Sequence, residues 1–84
     1  MCTNIATKTP VTGSAKTASG WKRVNEATMS FDHATHLRTE HALRMEFLGE
    51  SDAVVAVELD IESAKAFLTR LGEVIDAAER SGVS

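Results

Sequence analysis

Disulfides, membrane-spanning segments and an excess of basic residues are all missing from this sequence. It has one cysteine in 84 residues, so no disulfide can form within the chain. Its longest apolar run, Ala53 to Val57, is far shorter than the roughly 20 residues of a transmembrane helix. Lys and Arg number 9 against 12 Asp and Glu, which gives a formal charge of −3. We therefore expect no membrane span and no nucleic-acid partner.

The N-terminus lacks the basic and apolar regions of a secretory signal, which favours a cytoplasmic location. The composition is globular, with 43% hydrophobic and 25% charged residues. A chain of this length predicts one small domain over residues 1–84. Small domains without disulfides often gain stability from a bound metal or from oligomerisation, so both are expected candidates here.

Residues 6–20 collect small residues, the single proline and two of the glycines, which predicts a flexible loop. The preceding segment, Cys2 to Ile5, predicts at most a short edge strand. Lys16 and Thr17 do not complete a phosphate-binding loop, because the residue before the lysine is not glycine.

Alternation of apolar and polar residues predicts antiparallel strands within residues 21–59. It covers the segments Trp21–His33, His41–Leu48 and Ala53–Leu59. The last segment is apolar on both faces, which is typical of a central strand. One helix cannot cover both faces, so we expect a homodimer, with Trp21 as a core or dimer anchor.

A helical pattern follows over residues 61–80, where apolar residues recur at spacings of three and four. Asp60 is suited to the N-cap, Arg80 to the last turn and Gly82 to the end of the helix. The predicted fold is α+β, with a three- or four-stranded antiparallel sheet and one C-terminal amphipathic helix on one face.

All three histidines lie between Phe31 and His41, with the spacing H-x2-H-x4-H. By alternation, His33 and His41 point to the apolar face, and His36 lies in the connecting loop, from which it can turn inward. Three converging imidazoles would suit zinc, iron, copper or nickel, which the sequence does not distinguish. The spacing matches no established zinc signature, so the alternative is a cross-strand pair of His33 and His41 with a solvated His36.

Three neighbours bear on this site. Cys2 is a candidate fourth ligand; the alternatives are a free thiol or a nucleophile beside the amino group exposed when Met1 is removed. A closed shell would make the metal structural, whereas a water in place of Cys2 would leave an open, catalytic site. Glu40 is a candidate acid or base, and Asp32, which points outward, is read as a surface charge.

Three functions stay open at this point. The leading hypothesis is a small homodimeric metal-binding protein with ligands His33, His36, His41 and Cys2, acting as a metalloenzyme on a small molecule if a water completes the shell. The alternative is a metal-free homodimeric binding or accessory protein that contacts its partner through the sheet face and the helix. The third is a metal-free acid–base enzyme that uses a histidine with Glu40.

Several segments together resemble a small actinobacterial protein family of about this length that has no assigned activity. They are the Met-Cys-Thr start, the Gly-Ser-x-Lys and Gly-Trp sequences, Phe31-Asp32-His33, Glu40-His41-Ala42-Leu43, and Val55 to Leu59 before Ser63-Ala64. The resemblance covers nearly the whole chain and implies that the histidine segment and Cys2 belong to one recurring design. Ala34 stands where that family has proline, which loosens the loop.

Overall fold

The computed structural model describes residues 5–50 and 53–82. They form four strands and one helix in the order β1 (Ile5–Thr17), β2 (Gly20–His33), β3 (His41–Leu48), β4 (Ala53–Leu59) and α1 (Ile61–Arg80). The strands make one antiparallel sheet in the order β1-β2-β3-β4. The predicted α+β fold is confirmed, with four strands.

The prediction of a flexible loop over residues 6–20 is wrong, because β1 occupies most of that segment. Its threonines favour extended backbone, and it pairs with β2 to its last residue, where Thr17 lies opposite Gly20. Pro10 and Gly13 are tolerated because the register shifts between them, at a bulge on an edge strand. Gly20 (φ +111) follows the turn into β2. The short strand predicted over Cys2 to Ile5 is described only at Ile5, which begins β1. Residues 2–4 lie outside the described residues.

The expectation of a central position for Ala53–Leu59 is also wrong, because β4 is an edge strand. Each strand pairs with its neighbour in the chain, so the last strand of the series has one partner only. On the face opposite the helix, Val54 is half-buried and Ala56 is exposed.

The sheet has an apolar face and a polar face. The pairs Phe31–Leu43, Met29–Met45 and Ala27–Phe47 lie on the apolar face, which Leu59, Val57 and Val55 extend on β4. The polar face carries the pairs Ser30–Arg44 and Thr28–Glu46, together with Glu58. Arg44 forms an ion pair with Glu46 at 3.0 Å on this face.

Both ends of α1 follow from local sequence. The carboxylate of Asp60 accepts a hydrogen bond of 2.7 Å from the backbone N–H of Ser63, as an N-cap does. At the other end the cap is Ser81, and Gly82 follows with φ +78, a conformation that favours glycine. The predicted helix is confirmed over 61–80.

The chain buries little surface for its size. Its buried hydrophobic residues within the described ranges are Val24, Ala27 and Ala42, and no residue of α1 is buried. Trp21 is 68% exposed, so it does not anchor a core within the chain. The radius of gyration is 14.6 Å, against about 12 Å for a compact chain of this length. The accessible surface is 6756 Å², against about 4,900 Å² for a compact monomer of this mass.

Candidate functional site

His33 and His41 are directly opposite each other on β2 and β3. Their rings are stacked, with centroids 4.9 Å apart. The ring of Phe31 also stacks on His41, with a centroid distance of 5.4 Å. The pair lies at one end of the apolar face, as the alternation of side chains predicts. His33 is exposed and His41 is half-buried.

His36 lies with the polar face instead. The segment between β2 and β3 folds onto β4, where the backbone N–H of His36 donates to Glu58 at 3.1 Å. Glu58 is paired with Arg44 on the polar face, opposite to the side on which the rings of His33 and His41 stack. The structure therefore brings two of the three histidines together and leaves the third apart.

The four candidate metal ligands are not seen as one cluster. Among residues 5–50 and 53–82, no group of three or more His, Cys, Asp or Glu side chains is placed to hold a metal ion. Cys2 lies outside the described residues. The histidine pair alone supplies two nitrogen ligands, so a mononuclear site would need others.

Glu58 is the organising residue of the polar face. Its carboxylate accepts hydrogen bonds from the Thr35 hydroxyl (2.7 Å), the Thr35 backbone N–H (3.0 Å) and the His36 backbone N–H. The hydroxyl and backbone N–H of Thr35 are the main causes that lower the pKa of Glu58 from 4.5 to about 2. The side chain is 13% exposed, with Arg44 at 4.0 Å.

This bonding orients the imidazole of His36. The Thr35 hydroxyl has one hydrogen, which it donates to Glu58. Its oxygen lies 3.0 Å from Nδ1 of His36, so Nδ1 carries a hydrogen and donates it to that oxygen. Nε2 then remains as the acceptor of a neutral ring. His36, Arg44 and Glu58 line an open cavity of about 410 Å³.

The other acidic residues take local roles. The carboxylate of Asp32 accepts from the backbone N–H of His33 at 2.7 Å. Glu40 is exposed, and its backbone carbonyl accepts from the N–H of Ala34 at 3.3 Å. Glu58, which the sequence analysis did not single out, contacts the histidine segment from a different strand. Its sequence signal is one acidic residue within an otherwise apolar strand.

A second candidate site is the exposed apolar side of α1. We call it the apolar surface; it consists of Ile61, Phe67, Leu68, Leu71, Val74 and Ile75. Leu68 is 68% exposed and Val74 is 65% exposed. At its N-terminal end the surface borders a groove of about 360 Å³, which Met29, Leu43, Met45 and Leu59 of the sheet also line. Six such side chains expose on the order of 600 Å², the upper end for a monomer's largest apolar patch.

Comparison with known proteins places the chain in a family. The family whose sequence model matches, over residues 1–84, is described as a family of unknown function, DUF6295. The chain therefore belongs to that family, which confirms the expected resemblance to a family without an assigned activity. No curated protein and no solved structure matches the chain. No helix in the described ranges combines the length and the apolarity needed to cross a membrane.

Proposed function

Because the family to which the chain belongs has no known function, we propose a role from the geometry: a small binding or accessory protein that acts through its apolar surface. The observation that carries this proposal is that α1 presents six large apolar side chains and buries none of its residues. Exposed patches of this size mark interaction sites.

The energetics of covering this surface favour association. Removing about 600 Å² of apolar surface from water is worth roughly 15 kcal/mol at about 25 cal/mol per Å². The loss of translational and rotational freedom costs roughly 4–15 kcal/mol. The gain equals or exceeds this cost, and the surface that the partner buries adds to the gain, so the apolar surface can support a complex.

Photo-crosslinking in cells tests the role of the apolar surface. The photoreactive residue p-benzoylphenylalanine would replace Leu68 in one variant and Ala66 in the other, since Ala66 is exposed about 160° around α1 from Leu68. We expect a specific product, identified by mass spectrometry, from position 68 and not from position 66. Absence of a product at 68, or equal products at both positions, would contradict the proposal.

Metal binding is the second candidate, supported by the stacked pair of His33 and His41. The pair would supply two nitrogen ligands to zinc, iron, copper or nickel. Cys2, a water or histidines of a second copy would complete the shell. With a water in that shell, the site would be open for metal-dependent catalysis on a small molecule.

Metal content of the purified protein tests this second candidate. We expect stoichiometric metal in the wild type that is lost in His33→Ala and in His41→Ala. His36→Ala is the matched control and should retain the metal, because His36 lies with the other face of the sheet. A metal-free wild type prepared without chelator, or metal retained in both pair variants, would eliminate this candidate.

Other expectations stay predictions. They include the cytoplasmic location, the lack of a nucleic-acid partner, the actinobacterial range of the family and its shared Phe-Asp-His segment. The acid–base alternative now has a more specific form, in which His36 acts with Thr35 and Glu58 in place of Glu40.

A further inference from the structure

The apolar face of the sheet is wider than one helix. Four strands about 4.8 Å apart make a face roughly 15–20 Å wide, whereas a helix is about 10 Å in diameter. The protomer also exposes 6756 Å², roughly 1,900 Å² more than a compact monomer of its mass. A stable interface takes about 800 Å² from each partner. This surplus of exposed surface is thus sufficient for a dimer in which a second helix helps to cover the apolar face of the sheet.

One stripe of α1 is nearly symmetric about its centre. Gly72 lies in the middle, with Leu68 four residues before it and Ile75 three residues after it, and both are at least half exposed. Lys65 precedes Gly72 by seven residues and Glu79 follows it by seven. Because seven residues are close to two helical turns, all five side chains follow one line along α1.

Nothing within the described part of the chain accounts for a glycine at the centre of this stripe. Glycine is the poorest helix former after proline, and Gly72 is an interior helical residue. A Cβ built at this position meets no atom within 4 Å. Its conformation is not one that requires glycine, since the positive φ values belong to Gly20 and Gly82. Close approach of another backbone is the remaining physical reason for a glycine.

We propose that the partner of the apolar surface is a second copy of this chain, with the two α1 helices antiparallel and crossing at Gly72. This inference rests on the proposed function, since it uses the same surface. The two glycines meet at the two-fold axis, and Leu68 of each copy packs against Ile75 of the other. Lys65 of each copy then lies beside Glu79 of the other.

The charges at the two ends of the stripe favour antiparallel over parallel helices. An antiparallel pair places opposite charges together at both ends of the stripe, whereas a parallel pair would place Lys65 beside Lys65 and Glu79 beside Glu79. Within the described residues, Lys65 pairs only with Glu62 on its own helix, at 3.6 Å, and is 70% exposed. Its ammonium group is therefore available to a second copy.

Cysteine crosslinking tests the geometry in the full chain. With Cys2→Ser as background, Gly72→Cys, Lys65→Cys and Arg70→Cys each carry one thiol. Copper phenanthroline and oxygen oxidise two neighbouring thiols to a disulfide. We expect a crosslinked dimer from position 72 and none from 70 or 65, because residue 70 is exposed about 160° around the helix from Gly72 and the two residues 65 lie about 21 Å apart along antiparallel helices. A crosslink at 65 as strong as at 72 indicates parallel helices and overturns the inference, as does none at 72.

Charge reversal tests the same geometry without a crosslink. In sedimentation at low salt, Lys65→Glu and Glu79→Lys should each weaken the dimer about tenfold, since each variant places like charges at two contacts. The double variant should return to within about threefold of the wild type. A monomeric wild type, or a double variant no better than the singles, overturns the inference. If position 68 still crosslinks to a different protein, the proposed function stands and only the second copy is eliminated.

Discussion

The hydroxyl of Thr35 donates a hydrogen bond of 2.7 Å to the carboxylate of Glu58, which lies 23 residues further along the chain. This bond and two backbone N–H groups hold the segment between β2 and β3 against β4. The edge strand therefore gains a second attachment to the sheet besides its pairing with β3.

Replacing Thr35 with valine keeps the shape of the side chain and removes the hydroxyl. We expect the pKa of Glu58 to rise from about 2 toward its ordinary 4.5, since this hydroxyl is the main cause of the low value. A titration of the side-chain carboxyl by NMR measures it. Thr39→Val, in the same connecting segment, is the control and should leave the pKa of Glu58 unchanged.

The low pKa of Glu58 also predicts a pH dependence of stability. Between the unfolded value of 4.5 and the folded value of about 2, the unfolded chain binds more protons, so stability falls with falling pH. The difference in free energy of unfolding between wild type and Glu58→Gln should be constant above pH 4.5 and should shrink as the pH falls toward 2. Urea titrations at fixed ionic strength test this. A difference that stays constant down to the lowest pH would refute the assignment.

Ala42 is 3% exposed, and its β3 position places it on the polar face. Ala42→Leu should destabilise the protein by roughly 1–3 kcal/mol, because added methyl groups have no space there. Ala56→Leu is the matched control on the neighbouring strand. Since Ala56 is exposed, its effect should stay within about 0.5 kcal/mol. Thermal unfolding followed by circular dichroism compares the two, and equal effects would mean that Ala42 is not enclosed.

The N-cap of α1 offers a fourth test. Asp60→Ala removes the oxygen that accepts from Ser63, so the first turn of α1 should open more often and its amides should exchange hydrogen faster. Asp60→Asn retains an accepting oxygen and should preserve most of the protection. Hydrogen exchange measured by mass spectrometry on the peptide covering 61–68 separates the two variants.

Gly72→Ala should have opposite effects on the monomer and on the dimer. In dilute protein, alanine should raise the stability by about 0.5–1 kcal/mol, because it is the better helix former and its methyl group meets no atom of residues 5–50 and 53–82 within 4 Å. At concentrations where the wild type is dimeric, the added methyl group should weaken association. Unfolding measured across a concentration series tests both effects, and the same gain at every concentration would argue against close approach at this position.

Much of the fold was predictable because its signals are local. The helix begins after a capping aspartate and keeps its period for 20 residues, and β2 and β3 alternate regularly. β1 was missed because proline, glycine and threonine are typical of loops when read alone. Its bulge and its pairing to β2 depend on contacts with another strand, and the edge position of β4 depends on the order of the whole sheet.

The candidate site was predictable only for those of its residues that lie on strands, where apolar and polar residues alternate. His33 and His41 each lie on a strand, so their shared face follows from position alone. His36 lies between two strands, where alternation does not predict the face to which a side chain points. Its backbone N–H is held by the carboxylate of Glu58, 22 residues away. Glu58 is marked in the sequence as the one acidic residue of β4, but its role follows from the register that places it opposite Arg44.

The strand order β1-β2-β3-β4 also bears on how the chain folds during synthesis. Every strand pairs with the one made just before it, so its contacts close short loops, and such low contact order favours rapid folding. As the chain emerges from its N-terminus, each strand can pair with the one before it. The helix α1, which carries the apolar surface, is the last of these elements to emerge.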